Sequence, residues 1–166
     1  MIQEQINTLE NIIDKEIDGY KNIEKLYLDK KEILIHGKSE ELMAVDEKIM
    51  NAYKTLNNSL ESRKLVMKSM NFSTFSMTDI INEIKTQDIE AAKKFESKKT
   101  EANALAKRIF ELDKINLELI KHGVHVTNKT LEIIIKALKP ITNEYNQKGQ
   151  NITKSQLEMS SIIEEG

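Results

Sequence analysis

The sequence has no cysteine and no tryptophan, and only one proline and five glycines in 166 residues. Without cysteine there can be no disulfide framework, no zinc–thiolate site and no thiol nucleophile. Strand-rich folds need frequent turns, and those turns draw on Gly, Pro, Asn and Asp. Only Gly19, Gly37 and Gly123 precede the single Pro140, so the backbone is predicted to run in long helices. No apolar run exceeds four residues, 42–45, far short of the roughly 20 that a membrane-spanning helix needs. The opening MIQEQINTLE lacks the basic flank and apolar core of a secretory signal. A soluble, cytoplasmic protein without stable membrane insertion is expected. No charge of one sign dominates, because 25 basic residues are interspersed with 27 acidic ones. With no basic block to neutralise phosphates along a duplex, nucleic acid is not an expected partner. Gly-rich phosphate loops, nucleophile elbows and dinucleotide fingerprints are missing too. Neither enzymatic activity nor a cofactor is expected.

What is present is heptad periodicity. From Ile2 to about His36, the residues Ile6, Leu9, Ile13, Tyr20, Ile23, Tyr27 and Leu34 share one seam. Glu16 and Lys30 interrupt it. Such a repeat packs lengthwise against other helices, and about 35 residues at ~1.5 Å each span ~50 Å. Gly37 suits the left-handed conformation that ends helices. Ser39 is the predicted N-cap of the next helix, with Glu40 and Glu41 in the first turn, where the dipole favours acids. That helix runs to about Met70 on Leu42, Val45, Ile49, Ala52, Leu56, Leu60 and Met67. So short a connection implies an antiparallel hairpin.

The period lapses over NFSTFSM, residues 71–77, where Phe72 and Phe75 are expected to pack over the hairpin's open end or to meet a partner. Thr78 is the predicted cap of a short helix over 78–86, and Asp88 that of a long one over 88–138. The long helix continues the seam through Phe95, Ala102, Leu105, Ile109, Leu112, Asn116, Leu119, Gly123, Val126, Thr130, Ile133 and Ala137, with Lys98 its one charge. Asn116 is a polar residue of the kind that sets register at some cost in stability. Gly123 weakens a helix by ~1 kcal/mol relative to alanine and raises the prospect of a break. Pro140 ends the helix. Beyond it, Ile152, Leu157, Met159, Ile162 and Ile163 mark a weak amphipathic helix of about three turns, marginal by itself in water.

The predicted architecture is therefore all-α. A long antiparallel helical hairpin and a third long helix form an up-down-up, coiled-coil-like bundle over residues 1–139. Residues 140–166 supply a linker and a mobile tail bearing a short amphipathic helix. Only Glu118, His122 and His125 resemble a metal set, one helical face at i, i+4 and i+7. A di-iron bundle needs paired Glu-x-x-His motifs, and no glutamate stands three residues before any histidine here. No metal site is expected. The seven scattered methionines read as core filler.

Three stretches together resemble the FlgN family. KEILIHGKSEELMAVDEKI, residues 31–49, is similar to that family's helix–glycine–helix corner. FSMTDIINEI, residues 75–84, resembles the short segment after its second helix. INLELI from Ile115, then a helix to LKP, then EYNQKGQ over residues 144–150, resembles its last long helix and linker. The order and spacing of the three carry the likeness, since each is short. Lysine-rich helix faces and Gly123 depart from the family pattern. The resemblance implies a chaperone of flagellar type III export. Such a protein binds the C-terminal helices of hook-associated (hook–filament junction) proteins, prevents premature polymerisation, and delivers its clients to the export gate and ATPase complex. It implies client binding at Ile152, Leu157, Met159, Ile162 and Ile163 and gate docking at Tyr145. At most a weak homodimer is expected. The rival is a coiled-coil spacer or tether, which would self-associate tightly.

Overall fold

The computed structural model describes residues 2–72 and 76–138 as four α-helices, with no strand among them. The helices are α1 (Ile2–Ile35), α2 (Ser39–Ser69), α3 (Met77–Lys85) and α4 (Ile89–Leu138). The all-helical expectation holds. Residues 139–166 lie outside the described residues, and with them the predicted linker and tail.

Left-handed residues close both α1 and α2. Gly37 takes φ +66°, its amide donates to the Leu34 carbonyl, and the Lys38 amide donates to that of Ile33. Those two bonds satisfy carbonyls that the helix end would otherwise strand. After α2, Asn71 does the same with φ 59°. The Phe72 amide reaches the Met67 carbonyl, and the Phe72 ring packs on the core that includes Met67. Of the two expectations for Phe72, packing is the outcome; Phe75 is outside the described residues.

Two predicted caps are corrected. Lys38, not Ser39, precedes α2, and it makes no side-chain cap bond. Lys38 is already committed to closing α1, so Ser39 falls inside the helix. Ser76, not Thr78, caps α3, its hydroxyl accepting from the Asp79 amide at 3.2 Å. Thr78 instead accepts from Lys99 Nζ at 2.7 Å. Asp88 caps α4 as expected, with Oδ1 2.9 Å from the Ala91 amide.

By contact density the chain divides into residues 1–124 and 125–166. In the first unit, Lys30 meets Asp46 at 2.7 Å and Arg63 meets Glu16 at 3.3 Å. Rising numbers on α1 meet falling numbers on α2, so the two run antiparallel. Pairs of Asp14 with Lys98, Glu24 with Arg108 and Tyr27 with Asn116 have separations of 84, 84 and 89. This near-constant offset makes α4 parallel to α1. Two apolar clusters fill the space between helices. One gathers Ile6, Leu9, Ile13 and Ile17 with Met67, with α3's Ile80, Ile81 and Ile84, and with Phe95 and Leu105. The other gathers Ile23 and Tyr27 with Val45, Ile49, Ala52, Leu56 and Ile109. Ile17 lies beside the predicted seam and is buried as well, because α1 faces more than one neighbour. Added to Ile35, the last residue of α1, the observed offsets give Leu119 to Val124 as the end of its pairing with α4.

Candidate functional site

Glu16, Lys30, Lys98 and Asn116, which interrupt the seams, prove to be cross-helix contacts. Lys98 bridges Asp14 and Glu10 of α1, the latter at 3.2 Å. Asn116, only 1% exposed, donates from Nδ2 to the Tyr27 carbonyl at 3.0 Å, while its Oδ1 has no hydrogen-bond partner among the described residues. Glu16 is 4% exposed. Its Oε1 lies 3.3 Å from Arg63 Nε, close enough for an ion pair but not aligned as a hydrogen bond. Burial pushes the Glu16 carboxyl above its ordinary pKa, against the opposing pull of Arg63. The pair lines a cavity of about 280 Å³ with Tyr20, Thr78, Lys99 and Asn103. Nearby, burial raises the Tyr27 hydroxyl pKa, and hydrogen bonding to Tyr53 adds to it. These groups hold helices together; no nucleophile is paired with a base among them.

The second unit is described over residues 125–138, the last part of α4. At 3.6 residues per turn, two apolar rows run along it. One is Val126, Thr130, Ile133 and Ala137; the other is Leu131, Ile134 and Leu138. With Ile135 they occupy roughly 200° of the circumference, about twice the stripe of an ordinary surface helix. The polar remainder is His125, Asn128, Lys129, Glu132 and Lys136, while Thr127 and Thr130 stand within the apolar arc. Glu132 is held by Lys136 at 2.6 Å and Lys129 at 3.3 Å, and those lysines, Lys136 foremost, lower its pKa. Val126, Leu131, Ile133, Ile134 and Leu138 are 48 to 75% exposed. Such contiguous apolar exposure marks an interaction surface.

Sequence reasoning assigned Val126, Thr130, Ile133 and Ala137 to the packed seam; they are exposed. The helix also passes through Gly123 without a break. Signals for the exposure were present in the three consecutive isoleucines at 133–135 and in the doubled apolar rows. The residues to which the resemblance gave client binding (Ile152, Leu157, Met159, Ile162, Ile163) and gate docking (Tyr145) lie outside the described residues. His122 and His125 are exposed, and Glu118 is bonded to Lys121 at 2.9 Å. Among the described residues no group of three or more His, Asp or Glu could hold a metal ion. No described helix is long and apolar enough to cross a membrane.

A family model described as FlgN protein matches residues 1–153. The match takes in Tyr145 and Ile152 and stops short of Leu157, Met159, Ile162 and Ile163. No curated protein and no solved structure matches the chain.

Proposed function

The chain belongs to the FlgN family and so to the flagellar export chaperones, and we propose that it guards the C-terminal helices of hook-associated proteins in the cytoplasm and delivers them to the type III export gate. It acts by binding alone, without catalysis. The family match along residues 1–153 carries this reading. The fold suits the task. An up-down-up helical body supplies a stable platform through its two buried clusters, and the amphipathic tail after it supplies the client contact.

Subunits that polymerise through amphipathic helices expose apolar stripes before assembly. A chaperone needs only a complementary stripe that competes with polymerisation, the helix-in-groove mode. A segment that becomes ordered on binding loses entropy at that step, which lowers affinity per unit area and helps release at the export machine. Tyr145, in the linker, is assigned to the gate, since aromatic anchors are enriched among binding hot spots.

Truncation after Asn151 tests the reading. The shortened chain should keep its helical content and thermal midpoint while losing affinity for a hook-associated protein by calorimetry. Undiminished affinity would remove the tail from the client site. Tyr145→Ala should weaken gate binding and spare client binding; equal loss of both would merge the two roles.

A further inference from the structure

The second unit exposes more apolar surface than one neighbouring helix covers, and the remainder of the chain is suited to that surface. Residues 126–138 form a face ~20 Å long at ~1.5 Å per residue. After Leu138 come 28 further residues. Pro140 lacks the amide needed to continue a helix. The twelve residues 140–151 can span up to ~40 Å at about 3.4 Å each, twice the length of the face. The next segment, 152–163, repeats apolar residues at Ile152, Met159 and Ile163, with Leu157 and Ile162 alongside, and is of matching length. Charge is complementary. Beside the face, the polar side of the same helix carries Lys129 and Lys136 against Glu132, whereas residues 152–166 carry Lys154 against Glu158, Glu164 and Glu165.

We propose that the apolar face of residues 126–138 is the resting dock of the chain's own segment 152–163, and that a client helix competes with this dock for the segment. The competition rests on the client reading above; the dock does not. The contact is intramolecular, so a short linker gives it an effective concentration in the millimolar range. A segment too short to hold a helix alone then gains a partner, and both apolar surfaces are covered while no client is present. Client affinity is lowered in proportion to the docked fraction.

The absence of native cysteine makes a single label unambiguous. A nitroxide on Ser155→Cys in the full chain should broaden the amide signals of Leu131, Ile134 and Leu138, and Ile162→Asp should restore them. Mixing nitroxide-labelled chains with isotope-labelled, nitroxide-free chains should leave the signals sharp. Sharp signals within one chain would overturn the dock. Broadening across the mixture would also overturn it, assigning the face to a second copy. The exposed pair Leu131→Ser and Ile134→Ser should free the tail and tighten binding of a peptide from a hook-associated protein's C-terminal helix by about three- to tenfold. Unchanged or weaker binding would show that the face does not compete with the client, and would overturn the proposal. No client enters the nitroxide measurement, so its failure leaves the chaperone reading standing. Failure of the Asn151 truncation test alone would remove the tail from the client site and leave the dock standing.

Discussion

Glu16 and Asn116 stand at positions where a leucine would satisfy the heptad, and each instead ties two helices together. Burial is the larger cause of the raised Glu16 pKa, with Arg63 opposing it, so the fold favours the protonated carboxyl. The stability that Glu16 contributes is then full below its ordinary pKa of 4.5 and lost as pH rises through the raised value. Glu16→Gln is neutral at every pH. Relative to that variant, the native chain should lose stability as pH rises above about 4.5, read from urea midpoints at each pH. A constant gap between the two would show that Glu16 titrates as it does unfolded. Asn116→Asp replaces the amide donor facing the Tyr27 carbonyl with a buried acceptor. It should cost about 2–4 kcal/mol in denaturant unfolding at neutral pH, and a cost below about 0.5 kcal/mol would mean that the site is open to water. Both residues were legible as seam interruptions. Their partners were not, because Arg63 and Tyr27 lie 47 and 89 residues away and no local pattern encodes such separations.

At the scale of elements, three glycines act differently. Gly37 sits at φ +66° in the corner between α1 and α2, so Gly37→Ala should destabilise by about 1 kcal/mol or more. Gly123 is helical, and an added Cβ would meet nothing within 4 Å. Gly123→Ala should therefore stabilise by up to about 1 kcal/mol. Thermal unfolding of the two variants should move in opposite directions. Gly19 faces α2, where a Cβ would come 3.2 Å from Leu56 Cδ1, and this close approach sets how tightly α1 and α2 pack. Gly37 was readable because a glycine between two helical patterns has one common use. The role of Gly19 was not, since a glycine inside a heptad looks the same on either face. Cap assignment failed at Ser39 and Thr78 for a related reason. At α3 both Ser76 and Thr78 stood beside the helix start and the turn before it selected Ser76, whereas at α2 the closure of α1 at Gly37 put Lys38, which has no capping oxygen, at the start.

For the molecule as a whole, the buried clusters lie among residues 6–109. A chain ending at Leu138 should thus unfold at nearly the same urea midpoint as the full chain. A drop of more than about 1 kcal/mol would place part of the core's support in residues 139–166.

The sequence by itself determined that the chain is helical, where α1 and α2 turn, and most of the residues of both that enter the core. Local chemistry is sufficient for these: scarce glycine and proline, the three–four repeat, and a left-handed glycine between two repeats. Tertiary structure alone decided where the seam of α4 stops being buried. The repeat runs unchanged from Phe95 to Ala137, yet burial ends near Ile120, where the observed offset exhausts α1. Periodicity records which side of a helix is apolar; whether anything lies against that side depends on the length of its neighbour.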